Sequence, residues 1–307
     1  MTIPAFPLTR FALSTGVSVN AVDIGPRDGE VLIFLHGFPE SHRTWRHQLS
    51  HLSTRYRCIA PDQRGYCQSD KPEGVENYSV DKLTADIFAL ADACGVDRFT
   101  IVGHDWGGAI AWSVALNGMA GAPQNGRVER TIIANAPHPF IFQKLLLSNM
   151  EQRAASQYMR AFRDPANDAL IAQQGIAGIL RAALDWERST AMEDEEAAQL
   201  LADWQEPGAA MAMMNWYRAS PITVPAMEDV VAPIPADVRF PVLTSPTLVI
   251  WAMDDLALPS CNLEGMADVI ADLTVEPISD CGHFVPWEAP VQVNAAMDKW
   301  LAAHAVQ

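Results

Sequence analysis

Phe99-Thr-Ile-Val102 runs directly into Gly103-His-Asp-Trp-Gly-Gly108, and this junction decides how the chain folds. The first four residues are apolar or β-branched and read as a strand buried on both faces. Helical periodicity begins at Gly107 and continues to Leu116. The small residues at 103, 107 and 108 permit a sharp strand-to-helix turn that exposes the side chain at its apex, Asp105. The start of the helix favours a negative charge there. Aspartate is also a common helix cap, so the junction alone leaves a purely structural role open.

The flanking sequence repeats the pattern. Val31-Leu-Ile-Phe-Leu35, Arg57-Cys-Ile-Ala60, Thr131-Ile-Ile-Ala134 and Thr247-Leu-Val-Ile-Trp251 read as further buried strands, and Val80 to Cys94 reads as a helix. Strand, helix and strand in repetition predict an α/β fold, a mostly parallel sheet flanked by helices. Segments at about Arg10 to Thr15 and Val17 to Ile24 form an antiparallel lead-in hairpin. The alternation stops after Pro137-His138-Pro139. From Phe140 to Tyr217 the chain is helix-rich, with helices predicted over Met150 to Phe162, Gln174 to Trp186 and Ala209 to Tyr217. Alternation resumes at Thr247, after a proline-rich stretch. The expected organisation is a core of residues 1–138 and 221–307 with an inserted helical cap, 139–220.

Three more motifs stand at predicted strand ends. His36-Gly-Phe-Pro39 follows Leu35, Asp254-Asp255 follows Trp251, and Asp280-Cys-Gly-His-Phe284 follows a last strand near Leu273 to Ile278. The chain order is then nucleophile (Asp105), acid (Asp254 or Asp255) and histidine (His283). In such an arrangement the backbone N–H groups of Phe38 and Trp106 are the candidate oxyanion hole. His36 and His104 are candidate supporting residues, bracing the oxyanion loop and the nucleophile.

Composition bounds the partners. The 307 residues are 49% hydrophobic and 19% charged, enough to bury a full core. Lys plus Arg number 21 against 37 Asp plus Glu, a net charge of −16, with no basic cluster, so neither nucleic acid nor anionic membrane is an expected partner. Any anionic substrate would need a local basic site. The five cysteines are odd in number and lack CxxC spacing, which predicts a reducing, cytoplasmic setting rather than a disulfide scaffold or zinc site. Met1 to Arg10 carries no signal-peptide pattern, and apolar runs such as Val31 to Leu35 fall far short of a membrane span. His47 and His51, spaced i, i+4, read as a solvated helix face rather than a metal pair. With neither a Walker loop nor a dinucleotide fingerprint, no cofactor and no metal are expected. A homodimer stays open.

The motifs resemble those of the epoxide hydrolases of the α/β-hydrolase superfamily over essentially the whole chain. The resemblance rests on His36-Gly-Phe-Pro-Glu-Ser41 with Trp45-Arg-His-Gln48, Asp62-Gln-Arg-Gly-Tyr66 with Ser69-Asp-Lys-Pro72, Gly103 to Gly108, and Asn135-Ala-Pro-His-Pro139. Asn215-Trp-Tyr-Arg218 and Gln157-Tyr-Met-Arg-Ala-Phe-Arg-Asp-Pro165 are similar to the cap segments that contribute two ring-opening tyrosines, which implies Tyr217 and Tyr158. The Asp255-Leu-Ala-Leu-Pro259 pattern favours Asp255 over Asp254 as the acid. The resemblance implies a small apolar epoxide and water as reactants and a vicinal diol as product.

The residue types suit that chemistry. A carboxylate attacking saturated carbon leaves an ester that water can split, whereas serine would leave an ether. His283 would activate the water, oriented by Asp255. The leaving group separates the alternatives. An epoxide oxygen needs a proton, which Tyr158 and Tyr217 can give. A halide needs N–H donors, and Trp106, with Trp186, Trp204 or Trp216, keeps haloalkane or haloacid dehalogenation as the alternative. Fluoroacetate chemistry is disfavoured because no arginine follows the nucleophile. A non-catalytic ligand-binding member of the fold is a further alternative. Met-rich Ala209-Ala-Met-Ala-Met-Met214 fits either a greasy pocket wall or an ordinary buried helix.

Overall fold

Alternate residues of the central strands enter opposite faces of one sheet. In β3 (Val31–Leu35), Ile33 and Leu35 join one apolar cluster while Leu32 and Phe34 join another. The same division separates Ile101 from Val102 and Val249 from Leu248 and Ile250. This period of two is why these strands read as continuous apolar runs: both faces are covered. The computed structural model describes residues 5–174, 176–177, 192–235 and 237–306.

The strands are β1 (Leu8–Ala12), β2 (Ser18–Ile24), β3, β4 (Arg57–Pro61), β5 (Phe99–His104), β6 (Val128–Ala134), β7 (Thr247–Ala252) and β8 (Leu273–Ile278), in the order β1-β2-β4-β3-β5-β6-β7-β8. β1 and β2 pair antiparallel, as do β2 and β4. The pairs from β4 across to β8 are parallel. This is the α/β-hydrolase architecture, with the lead-in hairpin at one edge. One face is covered by α1 (Arg46–Leu52), α10 (Val285–Glu288) and α11 (Pro290–Ala303). The other is covered by α2 (Val80–Ala93) and α3 (Asp105–Asn117), and its apolar cluster continues into the helices between β6 and β7.

Those helices are α4 (Pro139–Ser148), α5 (Met150–Ala155), α6 (Gln157–Arg163), α7 (Asp168–Gln174), α8 (Asp194–Trp204) and α9 (Ala209–Ala219). The single helix predicted over Met150 to Phe162 is two. Ser156 leaves helical geometry at φ −96°, ψ 3°, and Gln152 Nε2 donates to its hydroxyl at 2.8 Å. α5 begins where Asn149 accepts the Gln152 N–H at its side chain. Most of the helix predicted from Gln174 to Trp186 lies outside the described residues. The Met-rich stretch is part of α9, with Met213 and Met214 in the core. Among the described residues no helix is long and apolar enough to cross a membrane.

The contact that fixes the frame is between α3 and the end of β3. A side chain built on Gly107 would put its Cβ 2.3 Å from the Leu35 carbonyl oxygen and 2.4 Å from that of His36. Both obstacles are backbone, so nothing flexible can yield. Gly107→Ala should therefore lower the unfolding free energy by about 1–3 kcal/mol, the usual cost of overpacking. Urea unfolding with an unchanged m-value and a midpoint no lower than the parent's would refute this close approach.

Candidate active site

The turn from β5 into α3 holds Asp105 at φ 50°, a left-handed conformation rare for a residue with a Cβ. The carboxylate is thereby set at the helix start and aimed across the end of β3. A Cβ on Gly37 would fall 2.6 Å from Asp105 Oδ1, so glycine leaves the room the carboxylate uses. The Phe38 N–H donates to Asp105 Oδ1 at 2.6 Å. Trp106 lies in the first turn of α3, where an N–H has no acceptor within its own helix. His36 braces this loop: its Nε2 accepts the Gln63 N–H at 3.1 Å, so its Nδ1 carries the proton toward the Gly37 carbonyl, 2.8 Å away. Burial pulls the His36 pKa down to about 4, so the ring is neutral.

His283 and Asp255 arrive from the loops after β8 and β7. His283 Nδ1 donates to Asp255 Oδ2 at 2.7 Å, and its Nε2 faces Asp105 Oδ2 at 3.6 Å. Asp255 is 4% exposed and Asp254 is exposed, so only Asp255 enters the site. Asp255 Oδ1 accepts the N–H groups of Ala257 and Leu258, each at 2.9 Å. Burial disfavours the charged forms of both His283 and Asp105, but their mutual attraction prevails. Asp255 and Asp105 hold His283 well above the ordinary histidine range. The His283 imidazole and the Phe38 N–H hold Asp105 below the ordinary carboxylate range. Proximity therefore favours the charged form of both Asp105 and His283.

Tyr158 on α6 and Tyr217 on α9 complete the ring of predicted residues. Their rings meet edge to face with centroids 6.1 Å apart. Tyr217 is fixed by rings on three sides: Phe38 and Phe162 at 5.0 Å and Trp106 at 5.2 Å. Both phenols are held above their usual pKa, chiefly by burial, with the Asp105 charge adding to it. Both therefore keep their phenolic protons.

Two cavities meet at Asp105. The larger, about 320 Å³, is walled by apolar groups including Leu116, Phe142, Met159 and Ile222. The smaller, about 140 Å³, is lined by His283, Phe38, Phe162 and Leu256. Tyr158 and Tyr217 border both. Two of the indoles considered as halide donors are committed elsewhere: Trp204 Nε1 donates to the Pro39 carbonyl at 2.7 Å and Trp216 Nε1 to the Arg64 carbonyl at 3.0 Å. Trp186 lies outside the described residues. His51 faces Asp298 at 2.7 Å, and among the described residues no group of three or more His, Cys, Asp or Glu is arranged to hold a metal ion.

Sequence reasoning missed two neighbours of the site, although both stand inside motifs it quoted. Asn135, at φ 40°, donates its amide to Asp255 Oδ2 at 2.8 Å and accepts the Ala252 N–H at 2.8 Å, tying β6 to the β7 loop. Glu40 is buried beneath His104. Its Oε1 accepts the Trp287 indole N–H at 2.7 Å, while Oε2 has no hydrogen-bond partner among the described residues and stands 3.6 Å from His104 Nδ1. His104 Nε2 lies 2.8 Å from the His283 carbonyl and must carry the proton; burial keeps this ring neutral, its pKa pulled down to about 4.

Comparison with known proteins agrees with this geometry. Residues 30–290 match the alpha/beta hydrolase fold family model. A solved structure from work on novel epoxide hydrolases in metagenomes from hot environments is 60% identical, covers 98% of this chain and 100% of its own, and superposes with a TM-score of 0.91. Epoxide hydrolase 1 of Caenorhabditis elegans is 30% identical over 95% of this chain and 70% of its own length. AB hydrolase superfamily protein YfhM of Bacillus subtilis is 30% identical over 95% of this chain and 97% of its own length. The chain belongs to the α/β-hydrolase fold family, and within it to the epoxide hydrolases.

Burial pushes the Glu40 carboxyl up to about 7 from its usual 4.5. The folded state then binds this proton more tightly than the unfolded chain, so stability falls as pH rises from about 4.5 to about 7. Glu40→Gln should remove that component: parent and variant should differ by a constant amount below this window, and the parent should lose ground to the variant across it. A difference that stays flat across the window, read by urea unfolding at stepped pH, would contradict the raised carboxyl.

Proposed function

We propose that the protein hydrolyses small apolar epoxides to vicinal diols in two steps, through an ester on Asp105. The observation that carries this reading is a carboxylate paired to an imidazole on one side and facing two neutral phenols in an apolar cavity on the other. Asp105 Oδ1 is engaged by the Phe38 N–H, which leaves Oδ2 to attack a ring carbon. The new C–Oδ2 bond forms as the ring C–O bond breaks, and its electron pair takes a proton from Tyr158 or Tyr217. Oδ1 is then the ester carbonyl, already in the oxyanion hole.

Esterification removes the Asp105 charge that helps to keep His283 protonated. The imidazolium gives its proton to the phenolate and becomes a base. It next takes a proton from water, and the hydroxide adds to the Asp105 carboxyl carbon. The negative charge on Oδ1 is met by the N–H groups of Phe38 and Trp106, a type of interaction for which loss of one donor costs about 10²–10³ in rate. The intermediate collapses, Oδ2 leaves with the diol, and the imidazolium protonates the departing oxygen. The carboxyl proton returns to His283 and the cycle closes. Asp255, held by three donors, keeps the imidazole in the required tautomer. The helices between β6 and β7 act as the cap that supplies the phenols. The halide alternative is weakened because Phe38 offers no side-chain donor and two of the candidate indoles are already engaged.

His283→Gln should form the ester without releasing it, so that incubation with an aryl glycidyl ether raises the mass of the Asp105 peptide by one substrate. Tyr217→Phe should slow ester formation and leave the decay of preformed ester nearly unchanged, since general acid catalysis acts on the first step alone. Undiminished diol formation by Asp105→Asn would overturn the proposal.

A further inference from the structure

α3 is covered on nearly all sides, and the exceptions form one stripe. Within the helix the residues that are only half-buried are Asp105, Ala109, Ser113, Leu116 and Asn117. The first four recur at steps of four, four and three, the spacing of one helix face. All four line the larger of the two cavities at Asp105. That cavity is therefore a channel laid along α3, and Ser113 stands eight residues, about 12 Å of helix rise, from Asp105. Its far end is polar. Thr84 of α2 donates its hydroxyl to Ser113 Oγ at 2.9 Å, and among the described residues the Ser113 hydroxyl has no other partner. Asp81 lies one turn before Thr84 on the same face of α2, a spacing that sets Cβ atoms about 5–6 Å apart. It also lines the channel and is exposed, so the channel opens to solvent there. Among the described residues no cation pairs with Asp81; the adjacent Lys82 donates to Asn77 Oδ1 at 2.7 Å. Ser220, another hydroxyl on the wall, accepts the Ile222 N–H at 3.3 Å.

We propose that Asp81 and Ser113 form a distal subsite, which selects epoxides whose substituent is an apolar stem ending in a hydrogen-bond donor, an alcohol or an ammonium, about 12 Å from Asp105, and turns away those ending in a carboxylate. This rests on the ester reading given above and names the substrate class for it. The middle of the channel, at Ala109, Phe142 and Met159, offers a stem only apolar contact. A methyl group arriving at the far end displaces water from Asp81 and Ser113 and returns no hydrogen bond. An alcohol does return them, since it can donate to the Asp81 carboxylate while accepting from the Ser113 hydroxyl. An ammonium donates to both oxygens. A carboxylate meets the like charge of Asp81 at the mouth, on a chain whose net charge is already −16.

The test uses the full chain and straight-chain terminal epoxides of about ten carbons, long enough to span the channel, ending in methyl, hydroxyl, ammonium or carboxylate. For the parent, kcat/KM should be higher for the hydroxyl and ammonium ends than for methyl, with carboxylate last. Ser113→Ala should cut the preference for hydroxyl over methyl by about threefold to tenfold, the scale of one lost hydrogen bond. Asp81→Asn should cut the ammonium preference and raise the carboxylate rate, each by about twofold to fivefold, and added salt should shrink both changes. The losses should fall on KM rather than kcat, because the distal contact is the same before and during the reaction. Ala109→Leu, which narrows the channel midway, should raise KM for the long substrates relative to propylene oxide. Equal efficiency of the parent on all four ends would overturn the subsite, as would unchanged preferences in Ser113→Ala and Asp81→Asn. Loss of the same size on propylene oxide, which is too short to reach, would mark a general disturbance and also overturn it. If Ser113→Ala fails to fold, Asp81→Asn and Ala109→Leu decide in the same way. Absence of diol from every epoxide with the parent chain would instead refute the underlying ester chemistry.

Discussion

The close approach of α3 to the end of β3 is the constraint on which the rest depends. With no Cβ at 107, the helix begins against the carbonyl oxygens of Leu35 and His36. The chain can reach that position from β5 only by a tight turn, and Asp105 accepts the left-handed conformation as the consequence. Strain of this kind persists only where surrounding packing over-determines it. Here the packing is a central strand pair, β3 and β5, buried on both faces. The same approach brings the Phe38 N–H to the carboxylate. One backbone contact thus sets the position of the Asp105 carboxylate and of its first hydrogen-bond donor together.

Around that frame the charges are arranged in a line. Asp105 and Asp255 flank His283, and the attraction between Asp105 and His283 offsets the burial that would neutralise either. Beyond His283 the ring of His104 is neutral, and beneath it Glu40 is held up near neutrality. Charge is therefore favoured at the cavity, while burial behind it favours the uncharged forms of His104 and Glu40. On the proposed chemistry this lets one event, loss of the Asp105 charge, change the protonation of its neighbour without any movement of the backbone.

Much of this was legible in the residue order. The five both-faces-buried strands read as apolar runs because neither face meets water, and the glycines around Asp105 marked the turn. Asp105, His283, Asp255, Phe38, Tyr158 and Tyr217 do come together around one pair of cavities. What sequence could not supply were relations between remote positions. Glu40 looked like one more loop residue because the groups that enclose it, Trp287 and His104, are far away along the chain. Asn135 stood in a quoted motif, but only the adjacency of β6 and β7 aims its amide at Asp255. The Asp255-Leu-Ala-Leu-Pro259 pattern already favours Asp255 over Asp254, and Asp255 is the one the β7 loop buries. The break at Ser156 escaped because apolar periodicity runs on through it; what ends α5 is a local geometry that leaves periodicity intact.

The unequal chambers on either side of Asp105 bear on traffic as well as fit. The imidazole borders the smaller chamber, and the apolar walls belong mainly to the larger. On the proposed chemistry, an epoxide with its substituent lodged in the larger chamber leaves the smaller one for water, so the second reactant need not wait for the first to depart. The bulky group also fixes which way the ring faces before any bond changes. Discrimination between mirror-image substrates then becomes a question of handedness in the seating, decided by the shape of a greasy recess rather than by the reacting carboxylate, which is blind to it.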